Sequence, residues 1–128
     1  RAKVTLLSHE FKTDFCKIEA EHDGYFERKN CIYHRRQWIF SENFLQINDY
    51  LRGEFNCASA RFYLHPDINI VDKNTLLLSS GRQVRLNYEG CEFLLKDTDW
   101  YPYFNRKIKS KCIELKIKKD YSEFKIEL

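Results

Sequence analysis

Apolar and polar residues alternate with a period of two along most of this chain, and such a pattern leaves little room for anything but β-structure. Cys16, Ile18 and Ala20 share one face of a strand, with Lys17, Glu19 and Glu21 opposite. Ala58, Ala60, Phe62 and Leu64 repeat the pattern; so do Val84, Leu86 and Tyr88, then Ile113, Leu115 and Ile117, then Phe124, Ile126 and Leu128. Between these segments stand Asp23-Gly24, Arg52-Gly53, His65-Pro66-Asp67, Ser80-Gly81 and Glu89-Gly90, which read as turns. Residues 37–50 contain Trp38, Ile39, Phe40 and Ile47, which favour strand over helix. Roughly nine or ten short strands at this spacing predict an all-β fold, an antiparallel β-sandwich formed as one domain over residues 1–128.

Composition agrees with that class. An aromatic share of 16% and only four Gly and two Pro suit a packed, strand-rich domain rather than a disordered chain. With 22 basic and 19 acidic residues the net charge is +3, too mild for a nucleic-acid partner. No apolar run approaches the roughly 20 residues needed to cross a bilayer as a helix. The chain begins with Arg1 and contains no methionine, so it reads as a portion of a longer protein. Cys16, Cys31, Cys57, Cys91 and Cys112 are scattered without a CxxC pair, which disfavours zinc and thioredoxin-like chemistry. Buried free thiols and one or two disulfides both remain open.

Strand parity singles out the polar residues. His22 continues the face of Cys16, Ile18 and Ala20 and is expected to point inward or towards a covered cleft, with Asp23-Gly24 expected to turn the chain and Tyr25 beyond it. Two proton-transfer groups at one rim, or a turn capped by Asp23, are the alternatives there. On the next strand Ile32, His34, Arg36, Trp38 and Phe40 share one face, while Tyr33, Arg35, Gln37 and Ile39 share the other. Neither face is buried without a partner for an arginine. Asp49 interrupts the apolar row Leu45, Ile47, Leu51, and its pairing with Arg35 or Arg36 is the expected solution. An arginine left over is suited to a carboxylate or sulfate on an acidic sugar. Arg61, Tyr63 and His65 mix charge and rings on another polar face. The segment Trp100-Tyr101-Pro102-Tyr103-Phe104-Asn105 breaks the alternation and is expected to form an aromatic loop or crossover. The basic run from Arg106 to Lys111 reads as a solvated strand edge or a polyanion-facing patch. No nucleophile elbow, phosphate loop or metal-ligand spacing is present, so neither a cofactor nor a metal is expected.

At Glu19-Ala20-Glu21-His22-Asp23-Gly24-Tyr25, followed by His34-Arg35-Arg36, the sequence resembles the heparinase II/III-like family of polysaccharide lyases. Leu45-Gln46-Ile47-Asn48-Asp49, Arg61-Phe62-Tyr63-Leu64-His65-Pro66 and Trp100-Tyr101-Pro102 extend the likeness over nearly the whole chain, with Asn105 standing where the family usually has glycine. The resemblance implies a C-terminal β-sandwich that follows an α/α toroid, in an enzyme that cleaves uronic-acid-containing polysaccharides by β-elimination. A base removes the C5 proton of the uronate while its carboxylate is neutralised. The groups that do this in the family lie outside the matching positions, so no catalytic residue is assigned here. Substrate contact is expected at His22, Tyr25, Arg35 and Arg36. The implied partners are an acidic polysaccharide and the toroid of the same protein, in a periplasmic or secreted setting. A carbohydrate-binding module, or a structural domain of a protein that builds surface polysaccharide, is the alternative.

Overall fold

In the computed structural model, which describes residues 2–25 and 32–128 apart from the Tyr25 side chain, the alternating segments pair into two antiparallel sheets. The strands are β1 (Val4–Phe11), β2 (Phe15–Tyr25), β3 (Ile32–Ser41), β4 (Phe44–Arg52), β5 (Ala58–Tyr63), β6 (Asn69–Asp72), β7 (Thr75–Leu77), β8 (Gln83–Glu89), β9 (Cys91–Tyr103), β10 (Arg106–Ile117) and β11 (Tyr121–Glu127). Eight of them form one sheet in the order β1-β2-β3-β4-β11-β8-β7-β6, and β5-β10-β9 form the other. The C-terminal strand β11 lies between β4 and β8, which joins the two halves of the large sheet.

The core fills the space between the sheets. Leu51, Leu76, Val84, Leu86 and Phe124 come from the large sheet, and Ala60, Ile113, Leu115 and Ile117 from the small one. Phe62 meets Phe124 across the gap at 4.5 Å between ring centroids, and Tyr88 stacks on Phe93 at 5.3 Å. Apart from Leu76 and Phe93, these lie in the inward rows that the alternation marked; each strand puts every second side chain there because successive Cβ atoms point to opposite sides of a sheet. The small sheet covers only part of the large one. Along β1 every residue is exposed.

Three local expectations change. Asp23-Gly24 does not turn the chain: both residues lie within β2, where a register irregularity between His22 and Tyr25 absorbs them. Asp23 caps no turn there; its Oδ1 instead accepts a hydrogen bond from the Lys3 amide at 2.7 Å, tying β2 to the chain before β1. The Trp100–Tyr103 segment is strand rather than loop, because β9 pairs with β10 as far as Tyr103↔Arg106. The reversal is made by Phe104 and Asn105, with Asn105 at φ 63°, a left-handed conformation that asparagine tolerates in place of glycine.

Gly90 is different, since no other residue fits its place. It has φ 70°, and a Cβ there would lie 2.4 Å from the Tyr121 carbonyl oxygen. Cys16, Cys57, Cys91 and Cys112 are free thiols. Cys31 lies outside the described residues.

Candidate functional site

Antiparallel pairing of β2, β3 and β4 places His22 opposite His34 and His34 opposite Leu51, with Arg36 opposite Asp49. All the polar members face the inter-sheet side, as parity requires. Asp49 is the centre of the group. Its side chain is 5% exposed, and it accepts from Arg36 twice, Nε to Oδ1 at 2.6 Å and Nη2 to Oδ2 at 2.9 Å. His34 Nε2 lies 2.6 Å from the same Oδ1. His34 Nδ1 in turn lies 3.0 Å from His22 Nε2, and His22 Nδ1 accepts the Gly24 amide at 3.1 Å.

This row of contacts fixes both imidazole tautomers by elimination. A carboxylate only accepts, so His34 carries its proton on Nε2; its neutral Nδ1 then accepts, and His22 must donate from Nε2. His22 Nδ1 is left as the acceptor that the Gly24 amide requires. The two rings link the Gly24 amide to the carboxylate that Arg36 also holds. Burial and the neighbouring His34 hold the His22 pKa below the ordinary imidazole range. Burial raises the Asp49 pKa, but the hydrogen bonds from His34 and Arg36 outweigh it and leave the carboxyl below its usual range.

Arg35 does not join this group. It faces the opposite side of the sheet, where its Nε lies 2.7 Å from Glu19 Oε1, an ion pair without the angle of a hydrogen bond. Its guanidinium also stacks 4.8 Å over the Tyr50 ring. Of the four expected contact residues, then, His22 and Arg36 are brought together and Arg35 is set apart. Tyr25 ends β2, and its side chain is not among those described. His34, Arg36 and Asp49 line one side of an open-mouthed cavity of about 230 Å³ between the sheets, lined elsewhere by Leu51, Phe55, Ala60 and Ile117 among others.

Two features escaped the sequence reading. His34 is the link between His22 and Asp49, which only the β2–β3 register reveals. The outer face carries a continuous amide ladder: Gln37 donates to Glu19, Asn48 to Gln37, and Gln46 to both Asn48 and Glu123. Gln37 and Asn48 are buried although they face away from the core. The ladder ends at Tyr121, whose hydroxyl donates to Glu123 at 3.1 Å and whose pKa is pushed up to about 12 by burial and by that carboxylate. On the small sheet Glu114 faces outward yet is 2% exposed, held by Arg61 and Lys96. Arg61 thus pairs with Glu114 while its side chain stays 54% exposed. Among the described residues no cluster of three or more His, Cys, Asp or Glu is arranged to hold a metal ion.

The fold recurs as one part of longer solved proteins. A heparan sulfate lyase, HepC, from Pedobacter heparinus superposes with a TM-score of 0.81 at 15% identity, over 98% of this chain and 21% of that one. The heparinase III-BT4657 gene product gives 0.76 at 16% identity, with the same coverage of both chains. This chain therefore spans about a fifth of the length of those proteins, and at such identity the likeness is one of fold. No curated protein matches it in sequence. The sequence profile of the heparinase II/III-like C-terminal family, however, matches residues 1–127, and the chain belongs to that family.

Proposed function

We propose that the chain serves as the C-terminal β-domain of a polysaccharide lyase acting on uronic-acid-containing glycans by β-elimination. In this reading it supports a catalytic α/α toroid of the same protein, walls one side of the substrate cleft, and is inactive alone. The observation that carries the supporting role is the commitment of the polar cluster. Both imidazoles, the Arg36 guanidinium and the Asp49 carboxylate satisfy one another across three strands. A general base needs a nitrogen presented to the substrate proton, whereas both His34 nitrogens are engaged within the fold.

In this reading the acidic glycan is met at a rim of His22, Tyr25 and Arg36, of which Arg36 lines the inter-sheet cavity. Arg36 uses Nε and Nη2 on Asp49, which leaves its Nη1 edge to a uronate carboxylate or a sulfate. Arg35, on the opposite face, would meet only a glycan lying across the outer side of the sheet. The test is incubation of the purified chain with heparan, chondroitin, alginate and hyaluronan, followed by ultraviolet absorbance of the unsaturated uronate product. No growth of that absorbance is expected; sustained growth would overturn the supporting role.

A further inference from the structure

The strands β9 and β10 are 13 and 12 residues long, but β5 pairs only with Cys112–Ile117 of β10. Beyond that point Asp97–Tyr103 and Arg106–Lys111 continue as a two-stranded ribbon with no third strand beside it among the described residues. An isolated ribbon of this kind is marginally stable, and here it is braced. The Leu64 amide donates to the Lys111 carbonyl at 2.9 Å, and the Ser110 hydroxyl donates to the Leu64 carbonyl at 2.5 Å. His65 packs edge-on against Trp100 at 5.3 Å on one side of the ribbon.

The other side changes character along its length. Phe93, Ile113, Leu115 and Ile117 continue the apolar core. Past the end of the core the same side carries Asp97 with Lys111 at 2.5 Å, and Asp99 with Lys107 at 2.8 Å and Lys109 at 3.0 Å. Tyr101 follows on the same side, and Asp99 above all, with a smaller contribution from Tyr101, raises the Lys107 pKa. At the tip Arg106 lies over the Tyr103 ring at 5.8 Å. Tyr101, Tyr103 and Phe104 are 67%, 68% and 98% exposed. A face prepared for another protein layer would continue the apolar row; this one turns to ion pairs, phenols and surplus cations. Four basic groups (Arg106, Lys107, Lys109, Lys111) stand against two acidic ones (Asp97, Asp99).

From this we infer that the β9–β10 ribbon is a second glycan-contact arm, which takes acidic oligosaccharide with Tyr101 and Tyr103 against sugar faces and Arg106 and Lys107 at the acid groups. The inference rests on the reading that an acidic polysaccharide is the partner, and it adds a surface distinct from the His22–Arg36 rim. Rings supply stacking area at small entropic loss, and the ribbon's bracing holds them in place before the ligand arrives.

The experiment is an amide chemical-shift titration of the 128-residue chain with a uronate-containing tetrasaccharide, a neutral glucan tetrasaccharide and anionic phospholipid vesicles. Shifts are expected to concentrate between Asp99 and Lys107 with the acidic sugar only, and to shrink as added salt shortens the screening length. Tyr101→Ala and Tyr103→Ala should each weaken binding about fivefold, the scale of one lost aromatic contact. Both tyrosines are solvent-facing, so the core resonances should not move, and Tyr103→Phe should bind like the parent. Equal response to the neutral sugar, no response at the ribbon, or vesicle binding with the same tyrosine dependence would overturn the arm. Shifts confined to the ends of β2 and β3 would overturn it while leaving the rim intact. Ribbon binding together with eliminative activity of the isolated chain would leave the arm standing and refute the supporting role.

Discussion

Replacing Asp49 by alanine removes the acceptor on which the whole polar cluster converges. Two contacts from Arg36 and one from His34 are lost at once, all between 2.6 and 2.9 Å. Breaking a buried pair by removing one partner costs roughly 3–5 kcal/mol, because the other charge is left without compensation. Arg36 retains 27% of its side-chain exposure, so water recovers part of that loss. The expected loss is therefore near the low end, about 3 kcal/mol, or a fall of roughly 10 °C in Tm for a domain of this size. The assay is urea unfolding followed by tryptophan fluorescence, with the slope compared between variants so that a shift in midpoint reports stability alone. The double variant Arg36→Met/Asp49→Leu distinguishes the cause. Removing both charges leaves no buried charge unpaired, only the His34 Nε2–H without its acceptor, and the loss should shrink to about 1–2 kcal/mol. An unchanged midpoint for Asp49→Ala, or a double variant as unstable as the single one, would refute the unpaired-charge argument.

The His22 pKa is held below its unfolded value, so the unfolded chain binds that proton more readily and stability must fall as pH falls. The loss should begin near pH 6.5, the ordinary histidine value, and continue through the lower folded value. Asp49, also held low, adds a second loss below about pH 4. His22→Gln should abolish only the first step in a pH series of thermal melts; a profile flat between pH 7 and 5 in the parent would contradict the sign. Gly90→Ala forces a side chain into φ 70° and against the Tyr121 carbonyl, and should lose at least about 2 kcal/mol by urea midpoint; a neutral result would mean that β11 shifts freely. Exposed Cys57 should react quickly with a thiol reagent, and Cys112, buried and with its pKa raised by burial, only on unfolding. Equal rates for the two would disprove the placement of Cys112.

What the sequence determined alone was the class of fold and the face on which each residue lies. Period two is a property of the extended backbone itself, so Ile113, Leu115 and Ile117 had to share a side wherever their strand went. The same logic put His22 inward, separated Arg35 from Arg36 and marked Asp49 as a carboxylate needing a cation. The order of strands was not legible, because β11 reaches its place between β4 and β8 through pairings distant in sequence. Nor was the register of β2 against β3, which decides that His22 meets His34 and that Asp23-Gly24 is absorbed within a strand. Turn residues state only that a chain is able to bend. Whether it does so depends on where neighbouring strands continue to pair, and for Trp100–Tyr103 the partner was β10. Which arginine Asp49 chose was likewise a tertiary matter: parity put Arg35 and Arg36 on opposite sides of one sheet, and the β3–β4 register sets Arg36 opposite Asp49 on the side facing β5 and β10.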